Sequence, residues 1–525
     1  MKPTMLFLIN SIDIERGGLT RASLKQASFF AEMGYETKMI TFNFNPNYPK
    51  IRKKLIEMDK VHPNVNILNM YEELEGHNEH LLIDKPIQKA SLEKLAENLY
   101  YDKRPGYNAF RVYNNGIFIK YISFKENGTL DFIDYFNENR YRTKREVYDP
   151  WGNIKLIDYM DFSLNKSRQR VYLNNEGRAF FTQWNNPDNE KVERIVLFNK
   201  DDSIANQYVN DTLSPKIDWL TTVVNRLKSK KIVIVSDTRT TDDILLKFNH
   251  EKVAKVWRLH STHLETPFTQ NANIAPRLTN QFKQIDKFDA AVFLTEEQKR
   301  DVQKRFGEKS NFHVIPHYHE LQKNMRRFPL NLLKKNVVKS EKLGVVVSRL
   351  SSLKRIDHIV RAFEIVIKEV PDAKLEIWGK GKQEKALRAL ISQLKLDSNI
   401  YLMGYTNSPD KVYQKGLFSV LTSKSEGFAL SVLESMYNKT PVISYKIKYG
   451  PTDMIVDNEN GYLVDNESID SLANRMIIMF KDPVKAKEMG SKARNYIDQN
   501  FNKKIYKEKW LDVIDCAIQN KFPKK

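Results

Sequence analysis

The sequence predicts an α/β protein made of two domains with parallel sheets and a β-rich insertion in the first of them. Apolar runs of strand length alternate with helical patterns at the start of the chain and again after residue 215, which is the rhythm of βαβ units. Between these parts the sequence becomes aromatic and alternates between apolar and polar residues. The 525 residues are also too many for one core, because domains average about 150 residues.

The first βαβ unit starts with the apolar run at residues 5–10, which predicts a buried strand. Gly17-Gly18 predict a turn after this strand. A helical pattern from residue 20 to about residue 33 ends at Gly34, because glycine commonly follows the last helical residue. Residues 36–43 and 64–70 predict two more strands of a parallel sheet.

The β-rich insertion covers residues 76–214. Turn signals recur along it, such as Asn114-Asn115-Gly116 and Asn174-Asn175-Glu176-Gly177, and strand-like runs such as residues 117–124 and 171–173 lie between them. This pattern is typical of hairpins in an antiparallel meander. The insertion can mediate oligomerisation, because an exposed sheet edge favours self-pairing.

The βαβ rhythm then resumes and continues into a second α/β series. Residues 231–236, 253–259, 290–294 and 311–315 predict strands of the first domain, and the basic stretch 320–339 predicts a linker. Further strands are predicted at 342–347, 374–378, 400–403, 418–422 and 441–445, and helices at 468–480, 484–500 and 504–519. The predicted domains are 1–75 with 215–330, the insertion, 340–503, and a C-terminal helix at 504–525.

The formal charge of +20 predicts a polyanionic partner: nucleic acid, an anionic membrane or a phosphate-rich polymer. A lysine-rich surface without a dedicated partner is an equal alternative. One cysteine, Cys516, excludes an internal disulfide and a cysteine-based metal site. No apolar run reaches the ~18 residues of a membrane span, and the first run is too short for a secretory signal, so we expect a cytoplasmic protein.

The most informative segment follows the apolar strand at 418–422. Gly427 marks the turn into a helix, whose free N–H groups suit a diphosphate. Glu426 precedes this helix and Glu434 lies about two turns further on. The carboxylate of Glu426 can then bind a sugar at the start of the helix, and that of Glu434 can bind a diol further along it. Both glutamates can equally be ordinary residues of a helix and its N-terminus.

Three cations follow the strand at 342–347. Arg349 and Lys354 flank a loop at the carboxyl edge of the second sheet, where they can neutralise a departing nucleoside diphosphate. Arg355 is expected to be a solvent-facing charge. Two open sheets that face each other form a cleft, and ligands bind at the carboxyl ends of their strands.

Two further candidate sites lie in the first domain. Gly17-Gly18 let the backbone approach a phosphate or a sugar, but paired glycines also mark ordinary turns. His260 directly follows the strand at 253–259 and should project into the cleft, and His263 follows it. The His-x-x-His spacing has no third ligand nearby, which disfavours metal. No G-x-G-x-x-G or G-x-x-x-x-G-K-[ST] motif occurs, which disfavours dinucleotide and P-loop chemistry.

Together, Glu426-x7-Glu434, the upstream Arg349 and Lys354, and Gly17-Gly18 resemble glycosyltransferase family 4, which has the GT-B fold of two Rossmann-like domains. The resemblance covers residues 1–75 and 215–520. Three short segments resemble a Gram-positive branch of this family, which includes wall teichoic acid α-glycosyltransferases and the glycosyltransferases of Ser-Asp-repeat adhesins. These segments are Ser425-Glu426-Gly427, Lys448-Tyr449-Gly450-Pro451 and Leu294-Thr295-Glu296.

The resemblance implies a retaining α-glycosyltransferase that uses UDP-glucose or UDP-N-acetylglucosamine without a metal. Arg349 and Lys354 would hold the diphosphate, Glu434 the ribose hydroxyls and Glu426 the sugar ring. His260 would line the sugar site, with His263 as the alternative. The backbone at Gly17, Gly18 and the run Gly427, Phe428, Ala429 and Leu430 would contact the sugar and phosphates. Phe428 departs from relatives with a polar residue there, so the donor preference does not carry over.

We expect the acceptor to be a polyol-phosphate polymer, wall teichoic acid; the alternative is an acidic Ser-Asp-repeat protein, and a basic groove attracts both. The insertion would bind this acceptor or mediate oligomerisation. The resemblance also implies a homo-oligomer built through the insertion, and peripheral contact with the inner face of the membrane. A different hypothesis is a nucleic-acid-binding module, since aromatic and basic residues mix at 140–145, but a sheet that packs its own aromatics is the commoner explanation. We therefore expect no nucleic-acid partner.

Overall fold

The computed structural model describes residues 2–15, 18–76, 89–320 and 339–523. Within these residues the strands form three sheets, which define an N-terminal lobe, an inserted meander and a C-terminal lobe. No helix in the described ranges is both long and apolar enough to span a membrane. Most of the basic linker predicted at 320–339 lies outside the described residues.

The N-terminal lobe contains a parallel sheet of seven described strands. Its first strand, Thr4–Ile9, is buried along its whole length, which explains its unbroken apolar sequence. The strand order in space is Phe312–Val314, Ala290–Phe293, Val253–Arg258, Ile232–Ser236, Thr4–Ile9, Thr37–Thr41 and Val65–Asn69. The α-helices are Gly18–Glu32, Tyr48–Glu57, Met70–Leu74, Ser214–Arg226, Asp242–Lys247, Thr279–Lys283 and Glu296–Phe306.

These strands confirm the prediction for this part of the chain, with ends that differ by one or two residues. The first helix also ends as predicted, because Gly34 follows it with a φ of 77° that favours glycine.

The meander is one antiparallel sheet in which the ten described strands are neighbours in chain order. Its hairpins turn where the sequence predicted, and Gly116 and Gly177 take positive φ there. The strands are Tyr100–Lys103, Ala109–Asn114, Ile117–Phe124, Leu130–Phe136, Arg142–Tyr148, Ile154–Met160, Ser167–Leu173, Ala179–Asn185, Val192–Phe198 and Ile204–Val209, preceded by the short helix Leu92–Leu95.

An aromatic cluster joins the meander to the N-terminal lobe. Phe44 and Tyr71 of the lobe pack against Tyr172 of the meander, with ring centroids 5.0 and 4.8 Å apart. A buried ion pair between Lys155 and Glu75 lies at the same junction. The aromatic residues of the insertion therefore form this junction as well as the sheet's own core.

The C-terminal lobe contains a parallel sheet of six described strands, in the order Ile400–Gly404, Lys374–Trp378, Leu343–Val347, Phe418–Leu421, Val442–Tyr445 and Gly461–Val464. The last strand was not predicted. The α-helices are Ile356–Glu369, Glu384–Gln393, Pro409–Lys415, Leu430–Tyr437, Pro451–Met454, Ile469–Lys481 and Pro483–Asn500.

The final helix, Lys503–Lys521, returns to the N-terminal lobe instead of packing on the sheet that precedes it. Tyr506 and Trp510 are buried against Phe29 and Phe30 of the first helix, with ring centroids 5.1 to 5.5 Å apart. The core of the N-terminal lobe is therefore completed by the end of the chain. Cys516 is a half-buried residue of this helix.

Candidate active site

A cavity of about 330 Å³ lies between the two lobes. Its walls come from the segments that follow parallel strands: the first helix on one side, and the helix Leu430–Tyr437 with the loop after Ile400–Gly404 on the other. This is where open α/β sheets bind their ligands. The lining includes Gly18, Arg21, Lys25, His317, Tyr405, Asn407, Asp410, Leu430 and Glu434.

Glycines bring the two lobes into contact beside this cavity. A Cβ atom at Gly427 would lie 2.1 Å from the carbonyl oxygen of His260, so only glycine fits there. A Cβ atom at Gly18 would lie 3.1 Å from the end of the Leu430 side chain. Gly17 lies outside the described residues.

The helix Leu430–Tyr437 begins at this contact. Ala429 precedes it with a φ of 64°, and the first N–H groups of the helix have no intrahelical partner. The start of a helix carries a partial positive charge, which favours an anionic ligand. Phe428 turns away from solvent and packs edge-to-face on His317, with centroids 5.4 Å apart. This interlobe packing explains why an apolar residue occupies position 428.

Lys354 and Glu426 form an ion pair at the carboxyl edge of the second sheet. Ser423 donates a hydrogen bond of 2.6 Å to the same carboxylate oxygen. Both side chains of the pair are 14% exposed, so they are held in place yet accessible. Arg349, on the same loop as Lys354, is exposed and forms no ion pair within the described ranges.

Arg355 corrects the expectation of a solvent-facing charge. Its side chain is 4% exposed, and its guanidinium donates to the carbonyl groups of Thr422 and Ser423, at 2.7 Å each. It also binds Glu467 at 2.8 Å. Arg355 therefore ties the Lys354 loop to the strand end that precedes Glu426, which a charge in solvent could not do.

Glu434 meets a residue that the sequence analysis did not select. Nη2 of Arg21, in the first turn of the helix Gly18–Glu32, lies 3.2 Å from Oε1 of Glu434 across the cleft. The only available signal was that Arg21 lies one helical turn beyond the predicted glycine turn.

His260 lies under the cleft, where its Nε2–H donates to Asp237 at 2.8 Å. Burial, followed by the nearby Arg258, lowers the pKa of His260 to about 4, so the ring is neutral. Burial opposes ionisation of Asp237, but the hydrogen bond from His260 keeps the pKa of Asp237 below its usual value. Asp237 was also missed; its signal was a carboxylate directly after the buried strand Ile232–Ser236.

His263 occupies a different environment. Its ring stacks on Tyr449 at 5.8 Å, and neither ring nitrogen has a hydrogen-bond partner among the described residues. Burial lowers its pKa to about 4. His260 differs from His263 in a second respect, because its backbone carbonyl lies against Gly427 of the C-terminal lobe.

The structure thus brings the candidates together in part. Gly18, Leu430 and Glu434 line the cavity, whereas Arg349, Lys354, Glu426 and His260 lie on neighbouring segments outside its lining. In the described ranges no group of three or more His, Cys, Asp or Glu residues could hold a metal ion. The paired aspartates Asp242 and Asp243 begin a helix. The groups available for chemistry around this one cleft are therefore a carboxylate, a cation and the start of a helix.

Comparison with known proteins agrees with this geometry. Residues 331–496 match the family model described as "Glycosyl transferases group 1". A poly(glycerol-phosphate) alpha-glucosyltransferase of Bacillus subtilis (strain 168) is 27% identical over 99% of this chain and 76% of its own length. A poly(ribitol-phosphate) alpha-N-acetylglucosaminyltransferase of Staphylococcus aureus (strain COL) is 26% identical over 97% of this chain and 99% of its own length.

More distant relatives include a UDP-N-acetylglucosamine–peptide N-acetylglucosaminyltransferase GtfA subunit of Streptococcus parasanguinis, 24% identical over 73% of this chain and 76% of its own length. Among solved structures, a mutant of S. aureus TarM in complex with Fondaparinux, alpha-GlcNAc-glycerol and UDP superimposes with a TM-score of 0.82 at 23% identity, over 98% of this chain and 100% of that one. The fold expected from the sequence, two Rossmann-like domains with a β-rich insertion, is confirmed.

Proposed function

We propose that this chain, a glycosyltransferase of the GT-B fold, is a retaining α-glycosyltransferase of family 4. It moves glucose or N-acetylglucosamine from a UDP-sugar to a polyol-phosphate polymer of the wall teichoic acid kind. One observation carries the proposal: an interlobe cavity with Glu434 in its wall and the Lys354–Glu426 pair beside it, in a chain that is similar over nearly its whole length to two enzymes named for such polymers.

In this proposal the donor lies in the cleft with its diphosphate against the start of the helix Leu430–Tyr437. Arg349 and Lys354 neutralise the diphosphate, Glu434 accepts the ribose hydroxyls and Glu426 contacts the sugar ring. The neutral His260 and the backbone from Gly427 to Leu430, together with Gly17 and Gly18, complete the sugar and phosphate contacts. The tight Gly427–His260 contact supports this, because it places both lobes at one point.

The bond between C1 of the sugar and the β-phosphate oxygen breaks as an acceptor hydroxyl oxygen bonds to C1 on the same face. The hydroxyl proton passes to the departing phosphate, and UDP leaves. Fixed cations and helix N–H groups stabilise the developing negative charge. We therefore propose that the reaction needs no metal, and that transfer rates with and without a strong chelator are the same within about twofold.

The net charge of the protein and its similarity to enzymes named for polyol-phosphate polymers support this acceptor. A polyol-phosphate polymer carries one negative charge per repeat, which suits a protein of net charge +20. An acidic Ser-Asp-repeat protein would suit the same charge and is the alternative acceptor. Nucleic acid is disfavoured, because Arg142 and Arg145 of the basic stretch pair with Asp134, at 3.4 and 2.7 Å.

Purified protein incubated with radiolabelled UDP-glucose or UDP-N-acetylglucosamine tests the proposal against three acceptors: poly(glycerol phosphate), poly(ribitol phosphate) and a Ser-Asp-repeat peptide. We expect label on one polymer, in an α linkage shown by the proton coupling at C1. Label on the peptide alone would favour the alternative acceptor. Absence of UDP release with every donor and acceptor would contradict the function.

We further propose a homo-oligomer that assembles through the meander, in the cytoplasm at the inner face of the membrane. The two outer strands of this sheet, Tyr100–Lys103 and Ile204–Val209, leave large apolar side chains exposed, and open sheet edges favour pairing. Light scattering of the whole chain and of a deletion of about residues 80–210 checks the assembly. An unchanged subunit number in the deletion would contradict the role of the meander.

A further inference from the structure

Arg21 connects the two lobes at the wall of the cavity. It lies in the helix directly after the glycine turn and reaches Glu434, which is 413 positions away in the chain. The Arg21 side chain is 41% exposed and that of Glu434 is 10% exposed, so the arginine borders open space while the carboxylate is nearly enclosed. Both residues line the cavity.

The ion pair uses only half of the Glu434 carboxylate. Nη2 of Arg21 approaches Oε1, whereas Oε2 accepts no hydrogen bond from the described residues. Asp410, the other carboxylate on the C-terminal wall, is already bound by His319 at 2.8 Å and by Asn438 at 2.6 Å. Both of these bonds end on Oδ1 of Asp410, so each carboxylate keeps one oxygen without a hydrogen-bond partner among the described residues. Glu434 differs in that an arginine of the N-terminal lobe holds its other oxygen.

The pair itself contributes little stability. An ion pair with one half-exposed partner and a single hydrogen bond typically adds little to the free energy of unfolding. Its geometric effect is larger, because a guanidinium fixes the position of the oxygen that it binds and so sets where the second oxygen of the carboxylate lies. Glu434 in turn raises the pKa of Arg21.

We propose that Arg21 is a positioning residue for the nucleotide donor: it orients Glu434 toward the ribose hydroxyls and makes their recognition depend on both lobes. The inference rests on the proposed function, in which Glu434 binds the ribose. It adds that the N-terminal lobe contributes to recognition of the ribose. Arg21 acts through Glu434 and takes no part in the chemical step.

The test compares binding of UDP and 2′-deoxy-UDP by isothermal titration calorimetry. The unmodified chain should prefer UDP by roughly tenfold, the size of one hydrogen bond to a charged group. Arg21→Met and Glu434→Gln should each reduce this preference to about twofold, and the double variant should lose no more than either alone. Arg21→Lys, which keeps the charge, should retain an intermediate preference and covers the case in which Arg21→Met folds poorly.

Arg388→Met is the matched control, because Arg388 also forms one ion pair, with Glu384 at 2.8 Å, on an exposed helix away from the cavity. It should bind both nucleotides as the unmodified chain does. A full preference for UDP in Arg21→Met and Arg21→Lys would overturn the role of Arg21 and leave the proposed function intact. No UDP binding by the unmodified chain would instead remove the proposed function, and the role of Arg21 with it.

Discussion

Two of the contacts between the lobes use polar residues differently. On the ligand side, Arg21 and Glu434 form an ion pair across the cleft, and Lys354 and Glu426 form a second pair within the C-terminal lobe beside it. On the anchor side, the helix Glu296–Phe306 faces the segment before Pro451, and the groups there bond to one another.

The anchor side is the more closed of the two. Lys448 pairs with Asp301 and also binds Glu297 at 3.1 Å. The hydroxyl of the fully buried Tyr449 donates to Asp301 at 2.9 Å, and Thr452 donates to Glu297 at 3.3 Å. The polar groups on the anchor side bond to one another, whereas Glu434 keeps one carboxylate oxygen without a partner among the described residues. A polar contact between lobes can bind a ligand only where it leaves such a hydrogen-bonding atom unused.

The largest effect should come from the ligand side. Lys354→Met should lower kcat/KM for sugar transfer by roughly 100- to 1000-fold, because it removes the cation that we propose to face the departing phosphate. Thermal unfolding should change little, since the side chain is not part of a core. Initial rates of UDP release and a melting curve check both points; near-normal transfer would contradict the assigned role of Lys354.

On the anchor side the same kind of change should affect stability instead. Asp301→Ala leaves Lys448 and Tyr449 without their shared acceptor, which should cost about 3 kcal/mol and lower the melting midpoint by several degrees. UDP affinity should stay within about twofold. The control is Asp286→Ala in the same lobe, because Asp286 pairs with Lys309 but is 77% exposed. Equal melting shifts in the two variants would contradict the anchor.

Acid should weaken the contact between the lobes through two buried histidines. His260 and His263 have pKa values of about 4 in the folded chain and about 6.5 when unfolded. Between these two pKa values only the unfolded chain binds the protons. The free energy of unfolding therefore has its full value above about pH 6.5 and decreases as the pH falls below it. The loss should be about 1.4 kcal/mol per pH unit for each histidine.

Melting midpoints measured between pH 7 and pH 5 check this dependence. His263→Phe keeps a ring on Tyr449 and removes one titrating group, so its midpoint should fall less steeply over the same range. The same slope in both proteins would show that His263 does not contribute.

The smallest effect is expected for Gly18→Ala. The new Cβ atom would meet only the flexible end of Leu430, which can move by a few tenths of an ångström. UDP affinity should change less than threefold, measured by calorimetry. A complete loss of binding would mean that the Gly18 backbone itself contacts the donor more closely than the cavity indicates.

Much of the fold could be predicted because its signals are local. Buried parallel strands have unbroken apolar sequences, and hairpins turn at Asn-Gly pairs and glycines with positive φ. The strand Gly461–Val464 was missed because four residues that begin with glycine give no clear period. Arg355 was misjudged because its partners, the carbonyl groups of Thr422 and Ser423, are invisible in a sequence pattern.

The candidate site was predictable only where one segment contains it. Glu426 and Glu434 lie on one strand–turn–helix segment, so their spacing together with the resemblance to family 4 selected them. Arg21 and Asp237 were missed because their importance depends on the neighbour that folding supplies, which in the case of Arg21 belongs to the opposite lobe. Contacts between lobes depend on a packing angle that no local pattern contains.

The helix Lys503–Lys521 has a consequence for how the molecule is made. Trp510 and Tyr506 cover aromatic residues of the first helix. They are synthesised only after the meander and the C-terminal lobe. Part of the interior of the N-terminal lobe therefore stays uncovered until the helix Lys503–Lys521 has been synthesised. Folding of the first lobe thus depends on a segment that follows the second lobe in the sequence.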